Sequence, residues 1–300
     1  MPTWNEILQE IGSTPNPYDR IRTRYIEALS ELTNRNTIVY YSGWLQKSGL
    51  SERGVRYDIH DGDKTGFMST IQGLDRTKGL DLFLRTLGGS IGATESIVHY
   101  LKQMFGNDIR AIIPQLAMSA GTMIACSCKQ IVMGKHSNLG PIDPLFRGYP
   151  THGIIEEFKT VKREVAKSPD TLRVWQSILA KYSPTLIGEC EKAIKWTESV
   201  VEDWLKTNMF SKDAKRNQKA KAIIKDLGSH ASTLSHERHI PAEVLRDKLK
   251  MDILMLESDP ALQDAVLSVH HACILSISQT PATKIIQSNS GRAYVEVASV

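Results

Sequence analysis

Between residues 37 and 133 the chain alternates short apolar runs with helix-period stripes, and this constrains its fold more than any other feature. Residues 37–42, residues 80–85, residues 109–116 and residues 131–133 read as strands, being short, apolar and bounded by turn residues. Between them, Ile91, Thr94, Ile97, Val98, Leu101, Met104 and Phe105 fall on one helical stripe. A second helix is expected through Met68, Ile71 and Leu74, and a small-residue helix over residues 119–128. Strands that are apolar on both faces and separated by helices predict a parallel sheet covered by helices. A helix over residues 20–33 precedes the first strand.

Beyond about residue 150 helical patterns dominate. One runs through Ile154, Ile155, Phe158, Val161 and Val165. A longer one carries Leu186, Ile187, Cys190, Ala193, Ile194, Thr197, Val200, Val201, Trp204 and Leu205. Ser183-Pro184 supplies an expected N-cap and first-turn proline for it. A further helix is expected over residues 261–275.

At 300 residues the chain can bury a large core. A net charge of +4 gives no argument for a polyanionic partner, and no run of apolar residues is long enough for a membrane helix. The opening residues lack a secretory signature. Four cysteines, two of them in one apolar stretch, make no disulfide framework and suit a reducing cytoplasm.

Two strand-to-helix junctions carry the chemistry. Ala117-Met-Ser-Ala-Gly-Thr-Met places one hydroxyl, Ser119, among small residues at a helix start. Such a serine could cap the helix or present a nucleophile. The other junction, Leu87-Gly88-Gly89-Ser90, has backbone N–H groups with no side chain in the way. Gly88, Gly89 and Ala120 are therefore candidate oxyanion donors beside Ser119.

Taken together, Leu82-Phe-Leu-Arg-Thr-Leu-Gly-Gly-Ser, Pro114-Gln-Leu-Ala-Met-Ser-Ala-Gly-Thr, Ile131-Val-Met-Gly and Leu139-Gly-Pro-Ile-Asp-Pro resemble the Clp/crotonase superfamily of serine peptidases. Within it the chain is similar to the serine dehydrogenase proteinases, and Trp196, Ser235-His-Glu-Arg-His-Ile and Thr280-Pro-Ala-Thr-Lys-Ile-Ile belong to the match. The family usually has His-Thr-Pro-Gly-Gly where this chain has Arg85-Thr86-Leu87-Gly88-Gly89. The missing proline frees the backbone ahead of the glycines.

The resemblance implies an α/β fold with a repeated β-β-α spiral core and a helical C-terminal arm. It implies an N-terminal arm and helix (1–36), a catalytic core (37–150), a helical insertion (151–228) and a C-terminal part completing the core (229–300). The implied activity is peptide-bond hydrolysis through an acyl-enzyme on Ser119, in the cytoplasm, by a homo-oligomer acting on a peptide or protein. No cofactor, metal, nucleic acid or transmembrane segment is expected. A triad in the order Ser, Asp, His points to Asp143 as orienting carboxylate and to His236 as base, with His239 and His230 as alternatives. Related peptidases use a Ser-Lys pair, for which Lys181 is the candidate.

Other readings stand beside these. Asp143 before Pro144 also suits a turn. His270 and His271 fall on an apolar helix and read as packing, and Cys126 and Cys128 read as small core residues. The histidines at 236 and 239 are three apart, not the four of a zinc-protease helix. The Lys-rich stretch from Lys212 to Lys225 reads as a solvated helix face. A non-catalytic oligomeric scaffold and a crotonase-like acyl-thioester enzyme are the rival functions, and a nucleophilic Ser119 argues against the second.

Overall fold

The computed structural model describes residue 7, residues 17–229 and residues 233–298. In chain order its principal elements are α1 (Pro17–Thr33), β1 (Asn36–Ser42), α2 (Asp63–Ile71), β2 (Leu80–Arg85), α3 (Ile91–Phe105), β3 (Ile109–Ile113), β4 (Leu116–Ala117), α4 (Ala120–Cys126), β5 (Gln130–Met133) and β6 (Asn138–Leu139). There follow β7 (Leu145–Phe146), β8 (Tyr149–Pro150), α5 (Thr151–Lys167), α6 (Leu172–Leu179), α7 (Leu186–Thr207), α8 (Arg216–Gly228), β9 (Ile240–Pro241), β10 (Ile253–Met255), α9 (Pro260–Gln279), β11 (Ala282–Ser288) and β12 (Ala293–Val297).

The central sheet has the order β10-β5-β3-β2-β1-β11-β12. Its first five strands are mutually parallel, and β11 and β12 join antiparallel beyond β1. The C-terminal strands thus extend the sheet begun by β1. Strand β2 is buried at every position because helices cover both faces. Alternation along the strands divides the core in two. Ile38, Tyr40, Leu82, Leu84 and Ile113 face the cluster under α3, α4, α7 and α8. Val39, Tyr41, Phe83, Ile112 and Val132 face the cluster under α1 and α9. Asp81, fully buried on β2, is held by Arg35 at 2.7 Å and Arg110 at 2.7 Å, so its charge is compensated inside.

Two expected boundaries differ. The strand expected over residues 109–116 breaks at Pro114, which has no N–H for the ladder. The chain leaves the central sheet and forms β4, which pairs with β6, itself paired with β9, in a separate three-stranded sheet. The long helix does not start at Ser183-Pro184. Those residues form a turn, in which Leu186 N–H donates to the Ser183 carbonyl, and α7 starts at Leu186.

Buried residues of α5, α7 and α8 belong to two clusters. Val201, Trp204, Leu205, Ile223 and Leu227 belong to the main core, whereas Ile154, Leu186 and Cys190 form a small cluster of their own. Helix α8 buries Ala220, Ile223, Ile224 and Leu227 and leaves Lys221 and Lys225 in solvent.

Candidate active site

The three-stranded sheet gathers the site. Ser119 lies two residues after β4, Asp143 four after β6, and His236 four before β9. The short strands therefore bring together residues from three distant parts of the sequence.

Ser119 stands at the N-cap of α4 with φ 51° and ψ −115°. A positive φ is strained for a residue with a Cβ, and sharp turns of this kind lift a nucleophile clear of the chain. The surroundings hold it there. Gly121 N–H donates to the Met118 carbonyl at 2.8 Å, and Met123 N–H to the Ser119 carbonyl at 3.1 Å. The Thr122 hydroxyl accepts from Gly140 N–H at 3.0 Å and lies 2.9 Å from the Ala117 carbonyl oxygen, tying α4 to both β4 and the turn before Asp143. The small residues are needed for room: a Cβ at Gly121 would lie 2.5 Å from Thr86 Cγ2, and one at Gly140 2.6 Å from Met118 Cε.

The glycine loop lies directly against this turn. Gly88 has φ 104°, and a Cβ there would lie 2.6 Å from Ser119 Cβ. Gly89 packs on the backbone of Ile59, where a Cβ would come within 2.3 Å of its N and O. Although Leu87 stands where a proline is usual, the loop is pinned on both sides. Thr86 exchanges backbone bonds with Leu116 and Met118, Ile59 N–H donates to the Gly88 carbonyl, and Ser90 N–H donates to the Ile59 carbonyl. Gly88 N–H is engaged by Thr86 Oγ1 at 3.1 Å. Among the described residues no acceptor takes the N–H of Gly89 or of Ala120.

Asp143 is fully buried, and its Oδ1 lies 2.8 Å from His236 Nδ1. With a carboxylate as partner Nδ1 carries the proton, which leaves the lone pair on Nε2. His236 is half-buried and shares with Ser119, Gly88 and Gly89 a cleft of about 880 Å³. Ser119 and His236 both line this cleft, and among the described residues no hydrogen bond joins them directly. Trp44, Leu87, Met123, Ile142 and Trp196 give the cleft apolar walls. The Trp196 indole N–H donates to Glu95 at 2.9 Å, bracing α7 on α3 across one side.

The remaining candidates lie as follows. His239 is exposed and also lines the cleft, but Asp143 Oδ1 is taken by His236. His230 lies outside the described residues. Lys181 lines a different groove, between β7–β8 and the start of α7, with Tyr149, Tyr182 and Leu186. His270 is buried on α9 with its Nδ1 2.7 Å from the Tyr41 hydroxyl; burial and then the nearby Arg85 push its pKa down to about 3. Cys126 and Cys128 are buried and free, and burial pushes both thiols up to about 12.

Thr86, Thr122 and Ile59 hold the site without having been singled out by sequence. The apolar–polar alternation of Val55-Arg-Tyr-Asp-Ile-His was the available signal for Ile59, which bridges to Gly89 as a strand would. Among the described residues no helix is long and apolar enough to cross a membrane.

The chain is similar to two uncharacterized proteins of Methanocaldococcus jannaschii. One is 30% identical over 204 residues, covering 67% of this chain and 66% of the relative. The other is 32% identical over 168 residues, covering 56% and 50%. The chain thus spans less than two thirds of either relative. A family profile described as ClpP-like SDH-type serine proteinase matches residues 56–254, which contain Gly88, Ser119, Asp143 and His236. By that match, over more than half its length, the chain belongs to the ClpP-like SDH-type serine proteinases.

Proposed function

We propose that this protein is a serine peptidase that cleaves peptide bonds through an acyl-enzyme on Ser119. One observation carries the reading: His236 is hydrogen-bonded to buried Asp143 within the cleft that holds Ser119. His236 Nε2 takes the Ser119 proton as Oγ bonds to the substrate carbonyl carbon, and the carbonyl electron pair moves onto oxygen. The N–H groups of Gly89 and Ala120 receive that oxyanion. Its collapse breaks the C–N bond, and His236 returns the proton to the leaving amine. Water, activated by the same histidine, then releases the acyl group. Asp143 holds the ring in the Nδ1–H tautomer throughout.

The location of Lys181 in another groove favours histidine over lysine as the base. The catalytic unit comprises residues 37–150 and 229–300, built as a β-β-α spiral, with residues 1–36 as an N-terminal arm. Residues 151–228 form a helical insertion or arm that packs on this unit through α7 and α8 and contacts neighbours in a homo-oligomer. Helix α6 buries none of its residues and leaves Leu172 and Val174 exposed, which supports an intersubunit role. The substrate is a peptide or protein rather than a nucleic acid, and no cofactor takes part. Four free, buried cysteines support a cytoplasmic setting.

A fluorophosphonate probe tests the reading. Wild type is expected to label, Ser119→Ala not at all, and His236→Ala far more slowly. Lys181→Ala is expected to label like wild type. Absence of labelling in folded wild-type protein would overturn the proposal.

A further inference from the structure

Lys284 is fully buried on β11, an unusual position for an ammonium group. Its Nζ donates to Asp63 Oδ1 at 2.8 Å and to the Asp58 carbonyl at 3.0 Å, and it lies 3.6 Å from Glu296 Oε2. The Tyr40 hydroxyl and His60 N–H both donate to Asp63 Oδ2. His60 Nδ1 accepts from Gly62 N–H at 3.1 Å, so its proton is on Nε2, 3.3 Å from Glu296 Oε1. His60, Asp63 and Glu296 have the spacing of a cation-binding group, and the Lys284 ammonium supplies the cation.

The Asp58 carbonyl is the informative contact. It belongs to the same peptide unit as Ile59 N–H, which donates to the Gly88 carbonyl at 2.8 Å. The Gly88 carbonyl belongs in turn to the same peptide unit as Gly89 N–H. A continuous chain therefore runs from the ammonium through two peptide units to Gly89 N–H. Hydrogen bonds in such a chain polarise one another in the same sense.

We propose that Lys284 is a positioning residue for the oxyanion site: through the 58–59 and 88–89 peptide units it orients Gly89 N–H and strengthens it as a donor. This rests on the peptidase reading for its catalytic consequence, but the polarisation is a property of the folded chain. Glu296 draws on the same ammonium and opposes the effect. Asp63 anchors the lysine and balances its charge. Strengthening of about 10–30% in a donor whose loss costs about 10²–10³-fold corresponds to roughly two- to eightfold in rate.

The test is the pair Lys284→Met with Asp63→Asn, which removes the charge and its counter-charge together. Two quantities are read on the full chain: the fluorophosphonate labelling rate and the proton chemical shift of the Gly89 amide. Labelling is expected to slow by roughly two- to eightfold in the maximal rate constant, with half-saturation unchanged. The Gly89 proton is expected to move upfield. An unmoved Gly89 proton would overturn the relay, and an unchanged labelling rate would overturn its role in the site. If wild type itself does not label, the peptidase reading falls and the Gly89 shift alone decides the relay. If the double variant does not fold, Glu296→Gln decides, since it keeps the lysine. A downfield Gly89 shift then supports the relay and an unmoved one overturns it.

Discussion

Adding one methyl group at Gly88 tests the packing of the two loops. In Gly88→Ala the new Cβ would lie 2.6 Å from Ser119 Cβ, 2.9 Å from the Met118 carbonyl oxygen and 3.1 Å from Ala120 N. Two of these neighbours are backbone atoms of the serine turn and cannot rotate away. The residue would also have to keep φ 104°, where an L side chain is strained. Backbone strain of about 1–3 kcal/mol and overpacking of about 1–3 kcal/mol together give a loss of roughly 2–6 kcal/mol. At about 2 °C per kcal/mol for a chain of this size, the melting midpoint should fall by roughly 4–12 °C. Relief of the clash displaces Ser119 or Gly89, so fluorophosphonate labelling should fall by at least about 10²-fold. Gly153→Ala is the control. Gly153 lies within α5 with nothing within 4 Å of its added Cβ, so alanine should stabilise by about 0.5–1 kcal/mol and leave labelling unchanged. A Gly88→Ala protein with the wild-type midpoint and labelling rate would refute the reasoning that these loops are in contact.

Further expectations concern the charges and thiols. Asp143→Asn keeps the shape but favours the wrong His236 tautomer, so the labelling rate should fall by about 10³–10⁴-fold with little change in melting; a loss below tenfold would count against the Asp–His pair. His270 is neutral in the fold down to about pH 3 and ordinary when unfolded, so the unfolded state binds the extra proton between about pH 6.5 and 3. Its stabilising contribution is complete above that window and is lost as pH falls through it, at about 1.4 kcal/mol per pH unit. Urea titrations from pH 6 to pH 4 should show that slope reduced by this amount in His270→Gln, and an unchanged slope would refute the assignment. Cys126, Cys128 and Cys273, buried with thiols pushed up to about 12, should resist iodoacetamide in the native protein and react on unfolding; rapid native alkylation would contradict their burial.

Strands β1, β2, β3 and β5 were legible because both-face burial leaves short apolar runs, as in Leu82–Leu84, whereas β10, β11 and β12 of the same sheet were not read as strands. The end of β3 at Pro114 could have been read from the missing N–H. The turn at Ser183-Pro184 could not, since good capping residues also make good turns. At the site, residue type identified Ser119 as a candidate, but its positive φ depends on contacts with Gly88, Thr122 and Gly140 that join remote segments. Asp143 and His236 each had structural alternatives in sequence; the hydrogen bond between them exists because β6 and β9 pair. Lys284 lies in an ordinary strand pattern, and nothing local marks its carbonyl partner at Asp58.

The most direct test of the central claim is digestion of an unfolded protein in H₂¹⁸O, with the fragments read by mass spectrometry. Wild type should produce new C-termini carrying one ¹⁸O, and Ser119→Ala should produce none. Wild-type protein that leaves the substrate intact, or a Ser119→Ala protein that cleaves as fast as wild type, would contradict the account.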